Sequence, residues 1–246
     1  MSLPQRLHLP EDVRPDRPRL GRHIHRDPAS LNYMIETAGT PGRLASARHE
    51  RVLDILNQGS TGSCTGNAMT GLLGTHPFWE PIGQHALAAG NPAAAEDYAV
   101  KVYSDATHID GVAGAYPPED TGSTGLAVCK VIHRRGLISG YRWARTPVGF
   151  VRLLQEAPVL LGTVWLEEFF EPDAGGFIDS GGLSSPVAGG HEVEIVAVEL
   201  ADPFEDSVLE GVNSWGPGWG EGGRFRFRMS TYMTLRDYAD LKQPVL

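Results

Sequence analysis

The sequence predicts an α+β fold of two lobes with a cleft between them, the first lobe mainly helical and the second mainly β. Three observations lead there. The chain has 246 residues, enough for one large core or for two lobes that share an interface. Apolar residues recur at helical spacing up to about residue 140 and at strand spacing beyond it. With 41% hydrophobic and 21% charged residues, the composition is that of a globular chain, not a disordered one.

Residues 1–45 are rich in Pro and Arg. Leu3-Pro4, Leu9-Pro10, Arg14-Pro15 and Arg17-Pro18 interrupt any helical period, so this segment reads as an extended arm. Such an arm straps the surface, covers the cleft or docks a partner. Residues 46–140 form the helical lobe. Ser63 offers an N-cap for a helix that carries Cys64 in its first turn, with Met69, Leu72 and Leu73 at near-helical spacing. Asn91-Pro92 reads as cap and first-turn proline of a second helix running through Tyr98, Val102 and Tyr103. A third spans roughly residues 123–135 on the stripe Leu126, Cys129 and Ile132, and Gly136 stops it.

Residues 141–246 form the β lobe. A shorter helix from Thr146-Pro147 to about Glu156 leads into the apolar run 158–166, which reads as a buried strand. His191 opens a strand that alternates through Val193, Ile195 and Ala197, and residues 224–229 alternate Arg with Phe or Met.

The bulk numbers also exclude classes. A net charge of -9 argues against nucleic acid as a partner, because neutralising phosphates takes clustered Lys and Arg. The arginines of the arm are largely offset by Glu11, Asp12, Asp16 and Asp27. Two cysteines, Cys64 and Cys129, do not make a disulfide scaffold and fit a reducing compartment. With no signal-peptide core and no membrane-length apolar run, the expected location is cytoplasmic, with no membrane partner.

Residues 57–68 read NQGSTGSCTGNA, a polar amide six positions before a cysteine that opens a helix. A helix N-terminus offers unpaired amide hydrogens and the positive end of the dipole, which favour thiolate. Gly59 and Gly62 let the loop fold back, so that the Gln58 amide and the backbone N–H of Cys64 can point at one oxygen. His191 follows Gly189-Gly190, and Asn213 lies at another strand end. If those strands pair, the Asn213 amide accepts a hydrogen bond from one ring nitrogen of His191 and fixes which nitrogen faces the sulfur. Trp215 is placed to shield that bond from water.

NQGSTGSC, then Gly-Gly-His, then NSWGPGWGEGG resembles the papain-like cysteine peptidase family in content and in order, over about residues 43–230. The resemblance implies a helical left lobe, an antiparallel β-barrel-like right lobe, and hydrolysis of peptide bonds through a thioester acyl-enzyme. Carried over residue by residue, it makes Cys64 the nucleophile, His191 the base and then the acid, Asn213 the orienter of the histidine, and Gln58 the oxyanion donor. Gly122 and Ser123 sit about where the family lines its substrate, and Gly190 precedes the histidine there. The partner implied is a peptide or protein substrate, with no cofactor and no metal. A protein partner through the arm is a further expectation.

Thr61, Thr65 and Glu192 depart from the family pattern, which holds a cysteine, an aromatic and a small residue there. The arm is shorter than a family propeptide and lacks its helical pattern. Stripped sequences of this kind resemble those of bacteria and their phages, so a virion-associated role is a second context. A binding or structural module with a vestigial site, and a cell-wall amidase, are the rival functions. Cys129 lies on an apolar stripe and reads as packing. His23 and His25 share a strand face without an acidic or cysteine partner, and Glu167, Glu168 and Glu171 read as the solvated side of a loop.

Overall fold

The structure, a computed structural model, describes residues 6–7, 14–25, 34 and 42–246. Leu3-Pro4, Leu9-Pro10 and most of the expected arm lie outside the described residues. Within the arm, β1 (Arg6–Leu7) pairs antiparallel with β2 (Ile24–His25). After β3 (Ala47–Arg48) come the helices α1 (Cys64–Leu73), α2 (Gln84–Ala86), α3 (Pro92–Thr107) and α4 (Gly125–Arg134). Then follow β4 (Gly140–Ala144), α5 (Pro147–Glu156), β5 (Val159–Leu166), β6 (Val187–Glu199), β7 (Val208–Val212), β8 (Arg224–Arg228), α6 (Met229–Leu235) and β9 (Asp240–Val245).

Three helices start where the sequence signals them, each for a visible reason. Asn91 accepts from the N–H of Ala94, Thr124 from that of Ala127 and Thr146 from that of Gly149, and a proline follows the first and the third cap. Each bond satisfies an amide that the helix itself cannot, a gain of roughly 1 kcal/mol. Helix α1 starts differently. Ser63 makes no capping bond, and its hydroxyl donates instead to Asn67 Oδ1 at 2.8 Å. Every residue of α1 is buried, because the helix packs between α3 and the sheet strand β6. Tertiary packing therefore holds this helix in place of a cap.

Strands order as β4-β9-β5-β6-β7-β8, all antiparallel, with β3 added beside β6. β6 begins at Val187, so His191 lies inside the strand, not at its start. β8 stops at Arg228, and Met229 opens α6. One buried cluster gathers Leu72, Val102, Val128 and Ile132 of the helices with Leu160; another gathers Phe150, Leu161, Trp165, Val193, Phe225 and Leu241 of the sheet and α5. Leu160 and Leu161, adjacent on β5, point into different clusters, as the two-residue period of a strand requires. Among the described residues no helix is long and apolar enough to cross a membrane.

Candidate active site

The register of the sheet brings His191 and Asn213 together. His191 faces Thr163 of β5, and on its other side β7 ends at Val212 opposite Glu194, so the next residue, Asn213, comes alongside the histidine. His191 Nε2 lies 2.8 Å from Asn213 Oδ1. The same oxygen accepts the backbone N–H of Ser214 at 2.8 Å, which fixes the amide with its oxygen toward the ring. An oxygen there needs a donor, so Nε2 carries the hydrogen and Nδ1 keeps its lone pair. Nδ1 makes no hydrogen bond among the described residues. Trp215 stacks on the imidazole at 4.7 Å between centroids, and Trp165 meets it edge-on at 4.8 Å. Burial pulls the histidine down to about 4, against the pull of the Asn213 bond.

Cys64 is the first residue of α1 and is fully buried. The loop before it is pinned at both ends. The Gln58 N–H donates to the Ser214 carbonyl at 2.8 Å, and its side-chain Oε1 accepts from the Ser214 hydroxyl at 2.6 Å. Gln58 is thereby bolted to the residue after Asn213, with its Nε2 hydrogens directed to the carbonyls of Thr61 (2.8 Å) and Arg19 (3.1 Å). Nearer the cysteine, the Gly62 N–H lies 2.9 and 3.1 Å from the two oxygens of Asp120, which also accepts from the Tyr103 hydroxyl at 2.6 Å. Burial and that carboxylate push the Tyr103 phenol up, and its oxygen accepts in turn from the Gly122 N–H at 2.9 Å. Sequence reasoning missed Tyr103 and Asp120. Nothing local marks them, since they act on Gly62 from α3 and from the loop before α4.

The arm runs through the gap between these parts. The N–H groups of Gly21 and Arg22 donate to the Gly190 carbonyl at 3.1 and 2.9 Å, the Ser123 N–H donates to the Gly21 carbonyl at 2.8 Å, and the His23 N–H donates to the Ser123 carbonyl at 2.8 Å. A Cβ on Gly21 would stand 2.3 Å from the Gly62 carbonyl oxygen, a distance no side chain tolerates. Gly21 thus fills the width between the loop of Cys64 and the strand of His191, touching Gly122 on a third side. Leu20 is wholly buried in the sheet cluster, and Arg17 lies over the Phe170 ring at 4.8 Å and pairs with Glu167. Ser123 and Gly190 grip extended backbone, and that backbone is the chain's own.

Of the remaining candidates, Cys129 is buried on α4, and burial pushes its thiol up to about 12. His23 Nε2 is 2.6 Å from the Thr121 carbonyl. Glu167 and Glu168 open a short 3-10 turn, residues Glu167–Phe170.

No family model matches the chain, and no curated protein matches it. Solved structures do. Xylellain, a cysteine protease from Xylella fastidiosa, superposes over 95% of this chain and 98% of its own, with a TM-score of 0.64 at 17% identity. Digestive procathepsin L 3 of Tenebrio molitor larval midgut covers 88% of this chain and 75% of its own, with a TM-score of 0.56 at 18% identity. The bromelain protease of Ananas comosus, solved with the E64 inhibitor, covers 81% and 99%, with a TM-score of 0.53 at 15% identity. Helices on one side, an antiparallel sheet on the other and these superpositions together give the chain a papain-like fold.

Proposed function

We propose that the chain is a cysteine peptidase that hydrolyses peptide bonds, with Cys64 as nucleophile, and that the arm holds it latent. The observation that carries this reading is the His191–Asn213 bond at 2.8 Å, which spends Nε2 and leaves Nδ1 with an unused lone pair. A histidine kept for packing has no need of an oriented, unspent nitrogen.

In the proposed reaction a peptide replaces the arm along Ser123 and Gly190. His191 Nδ1 takes the Cys64 proton, and the thiolate adds to the scissile carbonyl carbon. Negative charge collects on the former carbonyl oxygen, toward which the donors are the Cys64 N–H and the Gln58 Nε2 hydrogen that Arg19 gives up when the arm leaves. The imidazolium passes its proton to the amine, the C–N bond breaks, and a thioester remains. Water then attacks the thioester with His191 as base, releasing the acid and restoring the thiol. Asn213 keeps the ring in one tautomer throughout.

The test is turnover of fluorogenic peptides by the full chain and by a Leu20→Ala form with a loosened arm. Cys64→Ala and His191→Ala introduced into that form are expected to abolish turnover. Undiminished hydrolysis in either rejects the assignment. Closure of the site by the arm also suits a second reading, an inert binding scaffold, and that reading requires the loosened form to hydrolyse nothing.

A further inference from the structure

The arm's Arg22 side chain is wholly buried, and its backbone N–H donates to the carbonyl of Gly190, the residue before His191. Its Nη2 lies 3.0 Å from Asp240 Oδ2, its Nε 3.9 Å from Glu192 Oε2, and Nη1 donates to the Tyr238 carbonyl at 2.8 Å. Lys242 Nζ sits 3.2 Å from the other oxygen of Asp240. Glu192 is itself buried, and among the described residues neither of its oxygens makes a hydrogen bond. The walls are cut to leave room for this group. A Cβ on Gly162 would stand 2.6 Å from both Arg22 Nε and Glu192 Oε2, and one on Gly125 would stand 2.3 Å from Glu192 Oε1.

The ionisable groups facing one another here are Glu192 and Asp240 against Arg22 and Lys242. When the arm withdraws, Asp240 Oδ2 and the Tyr238 carbonyl lose their guanidinium donor, and Lys242 alone is left against Asp240. Buried acceptors left without a donor are costly, so the emptied pocket calls for another group that donates to both. Lys242 already serves one oxygen of Asp240. A planar guanidinium reaches Asp240, the Tyr238 carbonyl and the Glu192 side at once, which a single ammonium does not. Burial and Asp240 push Glu192 up to about 8 against the pull of Arg22 and Lys242, so near neutral pH Glu192 is an uncharged acceptor and Asp240 is the anion that the guanidinium meets.

Arg22 also bridges to Ser123 through its backbone neighbours, so its side chain hangs from the strip of cleft that would hold an extended peptide. We infer that the pocket of Glu192, Asp240, Gly162 and the Tyr238 carbonyl is a specificity pocket that takes an arginine side chain of the substrate once Arg22 has left it. The inference rests on the peptidase reading for the word substrate, whereas the pocket's preference for guanidinium stands by itself. The arm then holds the cleft by occupying the same pocket as the side chain it excludes.

Two measurements on the full chain keep these parts separate. In the first, Arg22→Ala is unfolded thermally with millimolar propylguanidinium or with propylurea, its neutral isostere. Propylguanidinium is expected to raise the midpoint by several degrees and propylurea not to; equal effects overturn the pocket. Should Arg22→Ala not fold unaided, the yield on refolding with each compound gives the same reading. In the second, the Leu20→Ala form is given a positional-scanning peptide library. Arginine is expected to be preferred over norleucine at one position by roughly 10- to 100-fold, falling to near parity when Asp240→Asn is added. Cleavage without that preference overturns the specificity claim. Stabilisation by propylguanidinium with no cleavage of any peptide keeps the pocket and rejects the peptidase reading.

Discussion

Replacing Leu20 by alanine tests how the cleft is closed. Leu20 is wholly buried in the sheet cluster, while the rest of that cluster belongs to the body of the protein. Truncating a leucine at such a position costs about 2–5 kcal/mol in lost transfer energy and cavity. Because Leu20 sits on the arm, the cost falls mainly on arm docking, with the fold beneath left intact. If Cys64 reacts only when the arm is away, the lower figure of about 2 kcal/mol multiplies the open fraction by roughly 30. The assay is alkylation by iodoacetamide under native conditions, with modified peptides mapped by mass. Cys64 is expected to be labelled about 30-fold faster or more in Leu20→Ala, and Cys129, buried on α4, to stay unlabelled in both proteins. An unchanged Cys64 rate would refute the arm as its cover. Parallel labelling of Cys129 would mean that the substitution had opened the whole molecule.

Gln58→Ala in the Leu20→Ala background removes an oxyanion donor while leaving peptide contacts at Ser123 and Gly190, so kcat is expected to fall by about 10²–10³ with KM little changed; a fall in kcat/KM carried by KM alone counts against that role. For stability, burial holds His191 near 4 where the ordinary value is 6.5, so between those values the unfolded chain binds more protons. Stability is therefore lost as pH falls from about 6.5 toward 4, by ~3 kcal/mol for this group. Urea midpoints should show that loss in the full chain and a smaller one in His191→Phe; identical slopes dismiss the buried neutral histidine. Glu192 runs the other way. Burial and Asp240 raise it to about 8 from 4.5, so the folded chain holds the proton longer and stability is lost as pH rises through that interval. Glu192→Gln is expected to flatten that part of the profile, and an unaltered slope contradicts it.

The parts legible in the sequence were those whose cause is local. Asn91 and Thr146 each bond to an amide three residues on, so a short window contains both the signal and its effect. The run Val159–Leu166 announces a strand because both its faces are buried. β9 did not announce itself. Asp240, Lys242, Gln243 and Pro244 look like a loop, yet the strand lies between β4 and β5, with Gln243 donating to the carbonyls of Leu153 and Ala157 and Asp240 paired to Arg22. Those charges are compensated only in three dimensions, where propensity has no view. Trp165 reads as a core strand residue, and its contact with His191 follows from a register that no single segment contains.

The arm is the extreme case, since each of its reasons lies elsewhere in the chain: Gly21 answers to Gly62, Gly190 and Ser123, and Arg22 to Glu192, Tyr238 and Asp240. That dispersal has a thermodynamic consequence. Arm and peptide compete for the same carbonyls and amides, so the affinity seen for a peptide is its intrinsic affinity multiplied by the fraction of molecules whose arm is away. Leu20→Ala multiplies that fraction without touching Ser123 or Gly190. The factor by which Cys64 alkylation accelerates must then equal the factor by which a competitive peptide aldehyde binds more tightly, as long as the arm is docked most of the time in both proteins. Agreement of the two factors ties closure and recognition to one equilibrium. A large gain in alkylation with unchanged aldehyde affinity would mean that the arm shields the sulfur from somewhere other than the path the peptide takes.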